Sequence, residues 1–292
     1  MSKFSSYYVD FDSTAYPQSL KLIKNPPKGL YIKGDIDSGI MNRKILGVVG
    51  SRKISEYSKS ALFHLFTNLL VNEITTVSGF MYGVDTEAHK ESLNRSIPTI
   101  AVLPCGIELI HPTSNYFLYQ RILEQGGLIM SEYEGTTAPK KWTYPNRNRI
   151  IAGLCDALLV VQAGENSGSL ITAHYANEFG KQVLTIPVSI FAGSSVGNLQ
   201  ILHKFARAVY LSRQINTLLG LENTKDAEND LISQLTNEEK LLYISLKDNP
   251  ANTDVLSSQL NFSSSEISAL LTILTIKGLI YEESGFYHAR QS

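Results

Sequence analysis

Six short apolar runs, most followed by residues at helical spacing, constrain this chain more than any other feature. Lys44-Ile45-Leu46-Gly47-Val48-Val49-Gly50 is a continuous apolar run closed by glycine, and the segment Tyr57–Asn72 after it sets Leu62, Phe66, Leu69 and Leu70 on one helical face. Thr75–Ser78 runs into Gly79 and a helix over Asp85–Asn94; further runs fall at Thr99–Leu103, Leu128–Ser131, Ala157–Gln162 and Val183–Pro187. Buried strands alternating with helices predict an α/β fold with a doubly wound, mostly parallel sheet.

With 292 residues, 43% of them hydrophobic, the chain can bury one large core and a small second one. No stretch reaches the apolar length of a membrane span, and the Met1-Ser2-Lys3-Phe4 start lacks the residue order of a secretion signal. The expected location is the cytoplasm, with no membrane partner. Cys105 and Cys155 sit in apolar surroundings without CxxC spacing, which predicts buried, reduced thiols and neither disulfide nor zinc site.

Residues 1–40 read as an N-terminal arm packed on the main domain, because the doubled proline Pro26-Pro27 stops any helix before the apolar run Leu30-Tyr31-Ile32. The main domain spans 41–222. A polar stretch, Glu222–Asp230, opens a linker over 223–234, and a small domain follows over 235–292. There Asn237–Leu246, Thr253–Leu260 and Ser264–Lys277 are helix candidates ahead of two short strands around Gly285, the order of a winged helix. Thr236 and Ser263 each precede a glutamate by three residues, the pattern of a helix start, and Gly278 stands where the third helix needs a left-handed cap.

The formal charge of −1 hides a division. Residues 226–292 hold 4 Lys+Arg against 10 Asp+Glu, a net of −6; residues 1–225 hold the remaining 22 against 17, a net of +5. Phosphate binding therefore belongs to the first part.

Four segments carry candidate chemistry. In Gly47-Val48-Val49-Gly50-Ser51-Arg52-Lys53 the glycines allow a tight turn off a strand, and the next helix offers amides to an anion. A dinucleotide fingerprint would need a third glycine opening the helix and an acidic end to the second strand; Arg52-Lys53 and Ser78-Gly79 stand there instead, so no nucleotide cofactor is expected. The alternative is that Gly50 serves close packing and Arg52 is a solvated charge. In Ser78–His89, Asp85 is placed to cap its helix, and His89 one turn later forms with it either a base and its orienting carboxylate or a structural hydrogen bond.

Lys140-Lys141-Trp142-Thr143-Tyr144-Pro145-Asn146-Arg147-Asn148-Arg149 mixes cations with aromatics, the combination that binds phosphates and stacks unpaired bases. Tyr144 is the preferred stacking residue, and Trp142 is either a second one or a core anchor. On a helix Arg147 and Arg149 point to different sides, so one reaches DNA while the other braces the loop through a carboxylate. In Gly164–Thr172, Ser169 is placed as the N-cap of the following helix, making either an anion cradle or a plain capped helix.

Together these segments resemble the DNA-processing protein A (DprA, or Smf) family from about Tyr16 to the C-terminus. The likeness rests on Tyr16-Pro17, Pro26-Pro27, Tyr31–Gly34, Val49–Arg52, Ser78-Gly79, Gly83-Val84-Asp85, Ala88-His89, Ser131-Glu132-Tyr133, Arg147–Gly153 and Ser167–Thr172, in that order. The resemblance implies an extended Rossmann-like fold that binds single-stranded DNA, dimerises and loads RecA recombinase in natural transformation. It implies DNA contacts at Arg52, Arg147, Asn148, Arg149, Gly168, Ser169 and Thr172, with Tyr144 where the family usually has phenylalanine; Ser51, Lys53, Lys140 and Ser167 in the same segments complete the expected DNA-binding set. Val188 after Pro187, and Ser195-Val196-Gly197-Asn198, depart from the family pattern and bear on dimerisation and RecA contact.

The rival is a nucleotide-binding or hydrolysing enzyme of the lysine-decarboxylase-like (LOG) class, whose Pro-Gly-Gly-x-Gly-Thr-x-x-Glu motif supplies a catalytic glutamate. Thr172 occupies that position, so no enzyme is expected. A winged helix reading duplex DNA is the second rival, but Ser264–Lys277 offers one lysine and no arginine within an acidic module.

Overall fold

The computed structural model describes residues 4–221, 235–277 and 279–289. These fall in two compact units, Met1–Leu221 and Glu222–Ser292. The expected linker at 223–234 and the cap at Gly278 lie outside the described residues.

In the large unit the strands are β1 (Tyr7–Asp10), β2 (Gly29–Lys33), β3 (Lys44–Gly50), β4 (Ile74–Ser78), β5 (Thr99–Gly106), β6 (Leu128–Tyr133), β7 (Ala157–Gln162), β8 (Gln182–Thr185) and β9 (Arg207–Ala208). The helices are α1 (Gln18–Lys21), α2 (Glu56–Thr67), α3 (Val84–Asn94), α4 (Tyr116–Glu124), α5 (Thr143–Leu154), α6 (Gly168–Glu178), α7 (Val196–Lys204) and α8 (Ser212–Leu218). Among the described residues the nine strands form one sheet in the order β1-β2-β6-β5-β4-β3-β7-β8-β9. β3 to β9 run parallel to one another, and the antiparallel β1–β2 pair adds to β6 with β2 antiparallel to it. The described part of the expected N-terminal arm, residues 4–40, thus extends the sheet through two strands.

Both faces of the parallel strands are apolar, which is why the sequence shows continuous runs rather than alternation. Along β7, Leu158 and Val160 join one core while Ala157, Leu159 and Val161 join the other across the sheet. The chain winds outward from β3 through β4 and β5 to β6, then returns to place β7 on the other side of β3. That reversal opens a crevice at the carboxyl ends of β3 and β7, where open α/β sheets bind ligands.

The expected helix over Tyr57–Asn72 stops at Thr67, because Asn68 leaves helical geometry and Leu69–Glu73 turn back toward β4. Asn198, in a segment that departs from the family pattern, has a structural role. Its side chain is buried, accepts from the Ala163 amide at 2.7 Å, and donates to the Val160 and Val161 carbonyls and to Thr185 Oγ1. It bolts α7 to the ends of β7 and β8. Asn198→Leu would strand these groups away from water and is expected to cost about 2–3 kcal/mol. Urea denaturation checks this, and a loss under about 0.5 kcal/mol, the scale of a neutral surface change, would show that the bolt carries no weight.

The small unit contains α9 (Asn237–Asp248), α10 (Thr253–Leu260), α11 (Ser264–Ile276) and the antiparallel pair β10 (Ile280–Glu283) and β11 (Phe286–Ala289). Thr236 with Glu239 and Ser263 with Glu266 form reciprocal capping boxes. Leu242, Tyr243, Leu256, Ile267, Leu271 and Leu274 share its core. Lys277 ends just past α11 paired to Glu239 at 2.7 Å, so its charge is already engaged.

Candidate functional site

A cleft of about 290 Å³ lies at the sheet reversal. A larger one, about 520 Å³, lies near Lys44 at the amino end of β3, away from the end where open sheets bind ligands.

The loop after β3 forms one wall. The Ser51 amide donates to the Gln162 carbonyl at 2.7 Å, and its own carbonyl accepts from Val84 at 3.0 Å, so the turn is fixed against both β7 and α3. Gly83 lies at φ +71°, and a β-carbon there would run into the Ser51 carbonyl and the Arg52 backbone, so glycine is required. A β-carbon at Gly50 would lie 2.5 Å from Val84, so this glycine does serve close packing; Arg52 nonetheless stands exposed at the mouth of the cleft. Its guanidinium carbon is 5.1 Å from the centre of the Tyr144 ring. The Tyr144 hydroxyl in turn meets His111 Nε2 at 2.9 Å.

The first turn of α6 forms the opposite wall. Here the expectation of Ser169 as N-cap is corrected. Ser167 is the cap, accepting from the Ser169 amide at 3.4 Å, while Ser169 is buried inside the first turn and shares a hydroxyl contact with Ser167 at 2.8 Å. Ser167 has the extended backbone a cap needs, whereas Ser169 is already helical. Gly168 is exposed, and a β-carbon there would meet nothing within 4 Å, so a ligand can approach this backbone. The Asn148 side chain donates to the Gly168 carbonyl at 3.2 Å, tying α5 to α6. Thr172 lines the cleft from a buried position.

The floor is charged. Arg147 is buried, and its guanidinium donates to the carbonyls of Gly79 and Val102, bracing the end of β4 against the middle of β5. A β-carbon on Gly79 would lie 2.6 Å from both that guanidinium and the Asp85 carboxylate. Burial pulls the Arg147 pKa down to about 10, with Asp85 opposing, so it stays cationic at neutral pH. Burial raises the Asp85 pKa, against the pull of Arg147. Asp85 does not cap α3: Gly83 holds the cap position, and Asp85 instead accepts from the Met81 amide at 3.2 Å.

The paired reading of Asp85 and His89 is also corrected. His89 Nδ1 meets Thr99 Oγ1 at 2.7 Å, and its ring packs near Phe80. Burial, reinforced by the Arg147 charge, pulls its pKa down to about 3, so it is neutral. An unfolded histidine, with pKa near 6.5, takes up a proton that the folded state refuses, so stability is full above pH 6.5 and falls as pH drops toward 3. Between pH 7 and pH 5 this costs the wild type about 2 kcal/mol that His89→Gln escapes. Urea midpoints at the two pH values measure it; equal losses in both proteins would contradict the assignment.

Three expected contacts lie outside the cleft lining. Arg149 pairs with Glu132 at 2.6 Å, the carboxylate brace expected of one arginine, while Arg147 also braces, on the Gly79 and Val102 carbonyls. Lys53 is exposed beside Arg52, its amide donating to Ser51 Oγ at 3.1 Å. Lys140 is exposed, its ammonium 6.0 Å from the centre of the Trp142 ring. Cys105 and Cys155 are buried free thiols. Among the described residues no cluster of His, Cys, Asp or Glu could hold a metal ion, and no helix is long and apolar enough to cross a membrane.

The family model for DNA recombination-mediator protein A matches residues 7–220. The chain belongs to that family. Protein Smf of Synechocystis sp. is 37% identical over 211 residues, 72% of this chain and 53% of that protein, so the chain spans about half the length of this relative. The X-ray structure of DNA processing protein A from Streptococcus pneumoniae superposes with a TM-score of 0.68 at 35% identity, covering 74% of each chain. A structure addressing the single-stranded DNA binding mode of DNA processing protein A from Helicobacter pylori gives 0.67 at 31% identity, covering 76% of this chain and 99% of that one. Membership in the DNA recombination-mediator protein A family fits the extended Rossmann-like sheet, and the matched span takes in the whole cleft.

Proposed function

We propose that the large unit binds single-stranded DNA across this cleft and that the chain works as a recombination mediator, protecting incoming strands and loading RecA recombinase in natural transformation, in the cytoplasm and as a homodimer. The observation that carries the reading is Arg52 lying over Tyr144 at the mouth of the cleft, opposite the amino end of α6. Cation, aromatic face and helix dipole together match an unpaired base with its phosphates. A duplex keeps its bases stacked inside and cannot use the Tyr144 face. The same family includes the Helicobacter pylori protein whose single-stranded DNA binding mode has been described.

The non-enzymatic reading rests on what lines the cleft. Asp85 is its one carboxylate among the described residues, sunk beneath the floor beside Arg147, and Thr172 stands where a LOG-type hydrolase needs glutamate. The acidic small unit stays out of the grip; we assign it to protein contacts or regulation.

The test is a titration of fluorescent single- and double-stranded oligonucleotides at several salt concentrations. Preference for the single strand, with affinity falling linearly in log salt, is the expected result. Equal binding of duplex, or no salt dependence, would overturn the reading.

A further inference from the structure

The cationic and aromatic pattern of the strand-binding segment continues beyond the cleft, on the outer side of the turn that leads into α5. Thr143 is buried and pins this turn: its amide and its hydroxyl both donate to the Lys140 carbonyl, at 2.9 and 2.8 Å, and its Oγ1 accepts from the Lys140 amide at 3.1 Å. A residue thus anchored inward turns its neighbours outward. Trp142 is 53% exposed, which rules out the core-anchor reading of the sequence. Its orientation is nonetheless set, because the indole meets the Tyr133 ring edge-on, with centroids 6.0 Å apart at 77°. Lys140 and Lys141 precede it, both exposed, with the Lys140 ammonium 6.0 Å from the indole centre, and two residues further along the chain Tyr144 faces Arg52.

We propose that Trp142 is a second base platform. It takes an unpaired nucleobase of the strand adjacent to the one stacked on Tyr144, and Lys140 swings from the indole face onto that nucleotide's phosphate. This rests on the reading of the cleft as a single-strand site. A half-exposed, edge-supported aromatic ring beside a cation is what sequence-tolerant stacking requires, since every base has a π face. Lys140, which the cleft leaves out, acquires its role here.

The chain holds a single tryptophan, so intrinsic fluorescence reports on this position in the unmodified protein. An unlabelled oligo(dT) strand is expected to quench it saturably, with the same midpoint as binding followed by anisotropy of a labelled strand. An abasic strand of equal length is expected to leave it unquenched. Trp142→Leu should weaken strand binding about tenfold with its thermal midpoint unchanged, and Trp142→Phe, which keeps a π face, should stay within about threefold of wild type. Binding by anisotropy with no change in Trp142 emission, or a leucine variant that binds like wild type, overturns the platform while leaving the cleft reading intact. Failure to bind any strand overturns the cleft reading instead.

Discussion

Replacing Arg147 by methionine is expected to lower the stability of the large unit by about 3–5 kcal/mol, the scale of removing one partner from a buried charge network. The guanidinium satisfies the Gly79 and Val102 carbonyls and faces Asp85, and both side chains are buried. Methionine fills similar space but leaves two acceptors unsatisfied and a carboxylate without its cation. Arg149→Met breaks a partly exposed pair with Glu132 and should cost about 1 kcal/mol. Urea denaturation of the two variants side by side measures the contrast. Near-equal losses would mean that Arg147 is not the structural member of the pair.

Arg52→Glu is expected to weaken single-strand binding at least about 100-fold at low salt, because a charge-assisted contact worth about 1.5–3 kcal/mol is replaced by repulsion of the phosphates. The side chain is exposed and packs over the Tyr144 ring, so thermal stability should stay within about 0.5 kcal/mol of wild type. Arg52→Ala removes one cation without reversing it and should reduce the slope of log affinity against log salt by about one. If the glutamate variant binds normally while folded, the Gly50-Ser51-Arg52 loop is not part of the grip.

The parallel sheet was legible because strands buried on both faces leave continuous apolar runs, and because glycines mark the turns at their carboxyl ends. The Ser51-Arg52 turn, Tyr144 and Ser167–Ser169 converge on one cleft because the segments that carry them all follow the carboxyl ends of strands, those of β3, β6 and β7. What could not be read from spacing was the direction of burial. Arg147 and Arg149 look alike in sequence, and what separates them is that the partners of Arg147, Gly79 and Val102, lie 68 and 45 residues away. Asn198 drew notice only as a departure from a pattern, since its carbonyl partners sit 38 and 37 residues earlier in β7. The cap at Ser167 rather than Ser169 turns on one local φ/ψ choice between two serines that are chemically the same. His89 lies one turn after Asp85, but the Met81 amide claims Asp85 and Thr99 claims His89.

Single-strand binding across the cleft is decided by a structure of the full chain bound to a short oligo(dT) strand. The expected result is a phosphate within hydrogen-bonding distance of Arg52 and of the Gly168 amide that opens α6, with a base lying on the Tyr144 ring. A strand bound elsewhere, on the small unit or at the larger cleft near Lys44, with the Arg52–Tyr144 mouth empty, would contradict it.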